Sequence, residues 1–165
     1  MRRPLTAALV VLLPAVVTDA AQAAPVVPAS DLWATVNKCD PPDQPGAVGV
    51  RYSVPRRRGG GAQWARVRLQ FFDGSARQAR ALPASAGQGR FVRLGDGVGT
   101  VMSGRTFTFP LPASGRRIVL RGRVEVEWRR GRKVLDRRRM LTTGGHDDLG
   151  DPALAVSRRS CEIRR

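Results

Sequence analysis

Residues 118–128 read Ile118-Val119-Leu120-Arg121-Gly122-Arg123-Val124-Glu125-Val126-Glu127-Trp128, and their alternation sets the fold class. Successive side chains of an extended strand point to opposite sides. Leu120, Gly122, Val124, Val126 and Trp128 therefore share one face, while Arg121, Arg123, Glu125 and Glu127 share the other. This period of two marks a strand with an apolar face to bury. The turn residues Arg129-Arg130-Gly131-Arg132 follow, and residues 134–143 supply the returning strand of a hairpin.

The same signal recurs on both sides of this hairpin. Residues 32–39 are rich in β-formers and stop at Asp40-Pro41-Pro42, where proline removes backbone donors and fixes φ. Val48, Val50, Tyr52 and Val54 alternate with Gly49, Arg51 and Ser53, the pattern of a half-buried strand ended by Pro55. Arg56-Arg57-Arg58-Gly59-Gly60-Gly61 reads as an exposed loop, since like charges repel and glycine is entropically loose. In residues 64–72, Ala65, Val67, Leu69 and Phe71 face one way and Arg66, Arg68 and Gln70 the other. Residues 75–82 allow a short helix cut off by Pro83. Short strands are expected at 91–94 and 106–109, and a last one at 157–163. Seven or eight strands separated by turn signals, with no strong helical periodicity, predict an all-β, immunoglobulin-like antiparallel sandwich.

The N-terminus carries an address. Arg2 and Arg3 precede an apolar run at residues 5–17, followed by the small residues Ala21-Gln22-Ala23. This order predicts a signal peptide over residues 1–23, cleaved after Ala23. A retained membrane anchor is the alternative, although the run is short of the roughly 20 residues a spanning helix needs. No lipobox cysteine follows, and Arg2-Arg3-Pro4-Leu5 is a poor twin-arginine motif. Residues 24–31 read as a flexible lead and 32–165 as one β-sandwich domain. The protein is expected to be secreted, extracellular or at the cell surface.

Cys39 and Cys161 are the two cysteines of the chain. In an exported protein one intramolecular disulfide between them is the default. A pair of free thiols and bridges between molecules are the alternatives.

Arginine dominates the charge. The chain holds 29 Lys+Arg against 13 Asp+Glu, for a formal net charge of +16. Residues 116–139 concentrate it in Arg116, Arg117, Arg121, Arg123, Arg129, Arg130, Arg132, Lys133, Arg137, Arg138 and Arg139, opposed by Glu125, Glu127 and Asp136. Guanidinium forks suit phosphate, sulfate and carboxylate groups. Arg129, Arg130, Arg132, Lys133, Arg137, Arg138 and Arg139 are thus the candidate polyanion-binding residues, on an arginine-rich hairpin. Compositional bias accounts for the same arginines, because strand alternation puts them outward whatever their role. The aromatic residues are too scattered for a stacking platform, so sequence-specific nucleic-acid binding is not expected. Trp33, Trp64 and Trp128 read as core residues whose N–H groups reach a partner.

Two stretches carry a resemblance. Leu32-Trp33-Ala34-Thr35-Val36-Asn37-Lys38-Cys39-Asp40 and Gly144-Gly145-His146, the latter followed by Asp151-Pro152 and the closing residues 157–161, resemble a group of small secreted bacterial proteins without an assigned function. These are similar to immunoglobulin-like sandwiches with one disulfide joining the N- and C-terminal ends. The resemblance implies fold and location, and it brings no catalytic residues.

Catalytic chemistry is poorly supplied. His146 stands near Asp147, Asp148 and Asp151, but the string lacks the alternating spacing of a Ca²⁺ loop. One histidine and two paired cysteines leave too few ligands for zinc. Ser103 lacks a Gly-x-Ser-x-Gly elbow. Gly95, Gly97 and Gly99 form a turn with no P-loop Lys-Ser/Thr pair behind it. Glu125 and Glu127 read as partners of cross-strand arginines such as Arg66 or Arg68. The expectation is a non-catalytic module with no catalytic residues, metal site or cofactor, acting in structure or protein interaction at the cell surface. A secreted polyanion binder is the second reading and a metal-dependent hydrolase the third. The partner expected is a cell-envelope polyanion or another protein, and no membrane span is expected in the mature chain.

Overall fold

The computed structural model describes residues 32–73, 78–82, 89–110, 112–146 and 156–164. The signal peptide and the lead lie outside them, as do Asp147, Asp148 and Asp151. Among the described residues nine strands follow in order: β1 (Trp33–Cys39), β2 (Ala47–Val54), β3 (Ala62–Asp73), β4 (Gln78–Ala81), β5 (Val92–Gly95), β6 (Val101–Thr108), β7 (Arg117–Arg130), β8 (Lys133–Leu141) and β9 (Cys161–Arg164). They form two antiparallel sheets, so the all-β sandwich is the architecture found. None of the described residues forms a helix long and apolar enough to cross a membrane.

The smaller sheet runs β1-β2-β6. The larger is built on β3 and β7, which pair from Ala62↔Arg129 to Phe71↔Leu120. The far edge of β3 holds β5 opposite Gln63–Ala65 and β4 opposite Gln70–Asp73. The far edge of β7 holds β9 opposite Arg117–Leu120 and β8 opposite Arg123–Arg130. The β7–β8 hairpin closes through Gly131-Arg132 with Gly131 at φ 58°, where a β-carbon would be strained.

Alternation then makes the core. Val36 of β1, Val48, Val50, Tyr52 and Val54 of β2, Val67 and Leu69 of β3, and Leu120, Val124, Val126 and Trp128 of β7 are all buried between the sheets. Trp128 donates from Nε1 to the Pro55 carbonyl at 3.0 Å, so its indole is buried without a lost hydrogen bond. At Gly122 β7 packs closely against Val50 of the opposite sheet and against Thr142. A β-carbon there would stand 2.7 Å from Thr142 Cγ2 and 2.8 Å from Val50 Cγ2.

Four expectations need correction. Residues 78–81 are extended rather than helical, because Gln78–Ala81 completes the edge of β3; this is the ninth strand. β6 starts at Val101 rather than Thr106, since its whole length pairs with β2. Every residue of β2 is buried, not only its apolar face, because β2 is the central strand and its outer side is also covered. Of the three tryptophans only Trp128 joins the core; Ala65 takes the inward position beside Trp64, which turns that ring outward.

The sandwich is closed at one side by sulfur. Cys39 at the end of β1 and Cys161 at the start of β9 form a disulfide with Cα atoms 5.2 Å apart. It links the two sheets across a sequence separation of 122. Backbone bonds continue the seam: Val36 and Arg158 exchange N–H···O bonds, and Thr143 N donates to Ala34 O at 2.8 Å.

Reducing the disulfide frees a long loop in the unfolded chain, and the chain-entropy model assigns about 3–5 kcal/mol to that freedom. A Cys39→Ser/Cys161→Ser variant should lose stability of this order in urea denaturation, and wild-type protein in reductant should match it. Gly122→Ala should cost about 1–3 kcal/mol in the same assay, since neither Val50 nor Thr142 has room to withdraw.

Candidate functional site

The outer face of the large sheet gathers arginines from strands far apart in sequence. On β3 the outward residues are Trp64, Arg66, Arg68, Gln70 and Phe72; on β7 they are Arg121, Arg123, Glu125, Glu127 and Arg129. Register with β8 adds Arg137 and Arg139, and Phe91 stands before β5 beside Arg66. The basic surface is therefore a sheet face, on which Arg66 and Arg68 of β3 join Arg121, Arg123, Arg129, Arg137 and Arg139 of the β7–β8 hairpin.

Two layers of contact hold part of this face. The Arg66 guanidinium lies 4.6 Å over the Phe91 ring, and its Nη2 donates to Glu125 Oε2 at 2.6 Å. Arg129 lies 4.6 Å over Trp64 and 4.9 Å over Phe91, with its Nη2 2.5 Å from Glu127 Oε2. Arg137 reaches the other oxygen of Glu127 at 2.5 Å. Each glutamate is buried beneath the cations it binds. Pairing of Glu125 with Arg66 and Arg68 follows the sequence expectation, while Arg129 and Arg137 on Glu127 extend it.

Around Glu125 the cations outnumber the anion. Besides Arg66, Arg123 Nη2 lies 3.2 Å and Arg68 Nη1 3.8 Å from Glu125 Oε1. Arg68 and Arg123 are direct cross-strand partners, a like-charge placement that costs energy unless something neutralises it. The Nε atoms of both are buried with no hydrogen-bond acceptor among the described residues. Arg121, next along β7, is held by a bond from its Nε to Gln70 Oε1 at 3.1 Å and has no carboxylate partner among the described residues. Arg68, Arg121 and Arg123 thus form a positive cluster that its own carboxylate only partly offsets.

The hairpin candidates separate into two groups. Arg129 and Arg137 are held by Glu127, Arg138 lies 3.4 Å from Asp136, and Arg130 donates to the Gly59 carbonyl at 3.0 Å. Arg132, Lys133 and Arg139 are exposed and have no ion-pair partner among the described residues. The structure adds Arg68, Arg121 and Arg123 from outside that set. Their convergence depends on the β3–β7 register, and the only sequence signal for it was the outward position of each residue on its strand.

The other candidates stand apart. Ser103 pairs with Tyr52 on the inner side of the small sheet and hydrogen-bonds its phenol; burial, the dominant effect, raises the Tyr52 pKa. His146 lies against the outer side of that sheet, stacked on Trp33 with ring centroids 4.7 Å apart, and its Nε2 is 3.0 Å from Thr143 Oγ1. Its carbonyl accepts from Arg51 Nη2 at 2.6 Å. Ser103 and His146 are thus on opposite faces. No group of three or more His, Cys, Asp or Glu side chains among the described residues is placed to hold a metal. The glycine turn is stitched by buried Gln63, which accepts from Gly97 N at 3.1 Å and donates to Gly99 O at 2.6 Å.

Comparison with protein-family models, with curated proteins and with solved structures finds no match.

Burial pushes the Glu125 pKa upward, but the Arg66 hydrogen bond and the fields of Arg66, Arg68 and Arg123 outweigh it and hold the carboxyl below its usual 4.5. A depressed folded pKa stabilises the protein above the ordinary carboxylate range and loses that contribution as pH falls through the folded value. Glu125→Gln should therefore cost about 1–3 kcal/mol at pH 7. The gap between variant and wild type should narrow in urea melts as the pH is lowered below the ordinary carboxylate range and the wild-type carboxyl takes up its proton.

Proposed function

We propose that this protein is an exported, non-catalytic binding module whose recognition surface is the outer face of the six-stranded sheet, and that its partner is anionic. One observation carries the reading: Arg66, Arg68 and Arg123 converge on the single carboxylate of Glu125, with Arg121 beside them. A cation cluster left under-neutralised on a flat face is a poor device for stability alone, since a second glutamate at Gln70 or Arg68 would offset it. It suits a partner that brings its own negative charge in repeated groups, such as an anionic cell-envelope polymer or the acidic surface of another protein. The terminal nitrogens of Arg68 and Arg123 would meet the anion, and the Trp64–Phe91 floor keeps the flanking Arg66 and Arg129 in place. Export is supported by the leader at residues 1–23 and by the Cys39–Cys161 bond, which suits an oxidising compartment.

A structural role is the second reading, and the Arg–Glu–aromatic stacks favour it, because they turn many of the arginines into sheet-stiffening contacts. The two readings differ in whether position matters once charge is equal. On a heparin column, Arg68→Gln/Arg123→Gln should elute at clearly lower salt than Arg132→Gln/Lys133→Gln, which removes the same charge from the hairpin tip. Equal elution of the two double variants would show that net charge alone governs retention and would leave the structural reading standing.

A further inference from the structure

The far edge of β7 is shared by two strands, and between them lies a gap. β9 pairs as far as Leu120 and β8 from Arg123 onward, so Arg121 and Gly122 fall at the junction. Thr142 fills it from one side: its Oγ1 accepts from Gly122 N at 3.1 Å and donates to Arg159 O at 2.6 Å. That pins Arg159 and Ser160 beside β7 immediately before the disulfide at Cys161. Together with Phe72, Val119 and Arg121 they line an open cavity of about 150 Å³ on the outer face.

The lining is divided in character. Phe72, 54% exposed, and Val119 make an apolar floor. Arg121 and Arg159 stand at the rim, and neither has a carboxylate partner among the described residues. Glu162, the nearest acid by register, sits opposite Val119 but is taken by Arg164, at 2.6 Å, and by Arg117, at 3.6 Å. Inorganic anions gain nothing from the floor, and neutral apolar molecules gain nothing from the rim. A cavity of this volume accepts a benzene-sized group.

We infer that this cavity binds a small aryl anion, a single ring carrying a phosphate, sulfonate or carboxylate, with the ring on Phe72 and Val119 and the anionic group between Arg121 and Arg159. The site adjoins the Arg68–Arg123 cluster on the same sheet face and shares Arg121 with it, and it does not need the partner proposed above to be a polymer.

Phenyl phosphate, inorganic phosphate and benzyl alcohol, titrated separately into ¹⁵N-labelled protein at constant ionic strength, test it. Phenyl phosphate should shift the amides of Phe72, Val119, Arg121 and Ser160 and bind about tenfold more tightly than inorganic phosphate, the gain expected from covering the floor. Benzyl alcohol should leave those amides unshifted. Phe72→Ala should bring phenyl phosphate down to the inorganic phosphate affinity, and Arg121→Gln/Arg159→Gln should weaken phenyl phosphate about tenfold. The inference is overturned by absence of shifts, by shifts centred elsewhere, by equal binding of the two phosphates, or by benzyl alcohol binding as well as phenyl phosphate. Phe72 is exposed, so its truncation leaves the fold intact, and it carries no charge, so loss of phenyl phosphate binding by Phe72→Ala with unchanged heparin elution separates recognition of the ring from retention by the arginines.

Discussion

The pairing of β3 with β7 is the constraint on which the remaining structure depends. Ten consecutive residue pairs, from Ala62↔Arg129 to Phe71↔Leu120, fix which side chains look inward and which look outward on both strands. Shifting the register by one residue would put Val124 and Val126 in water and the arginines in the core. The same ladder creates the edges on which β4, β5, β8 and β9 assemble. Core and candidate site are thus two faces of a single hydrogen-bond pattern, and neither changes without the other.

Much of this is legible in the sequence, because the period of two is written most clearly in these two strands. Leu120, Val124, Val126 and Trp128 are buried where alternation puts them, and Cys39 and Cys161 join the strands expected to carry them. What was not readable had a common cause. β4 has too little apolar patterning to declare itself, and its conformation is set by the edge of β3. Full burial of β2 comes from its central place in the sheet. Local composition is silent on the long-range pairings that decide both.

The site shows the same division. Glu125 opposite Arg66 was legible, since both lie outward on adjacent strands. The choice of Arg137 for Glu127 was not, because it depends on a hairpin register that a bulge between Trp128 and Arg129 shifts. The Phe72 cavity was further out of reach. It exists because Thr142 and the disulfide bring Arg159 and Ser160 alongside a strand about 40 residues away in sequence.

Arginine, rather than positive charge as such, is what the inner layer of this face requires. A planar guanidinium can lie on Phe91 or Trp64 and still present its edge to a carboxylate, whereas a lysine ammonium offers a point charge and no plane to stack. Arg66 and Arg129 use both properties at once. A genome's bias toward arginine codons explains a high count but not why these two sit between aromatic ring and glutamate. For Arg132 and Arg139, exposed and without such contacts, lysine would serve as well. Arg68, Arg121 and Arg123 fall between these cases: placed by the sheet, close to or beside one glutamate, and not consumed by it. Their surplus charge is the part of the surface that packing leaves unexplained, and an anion from outside would complete it.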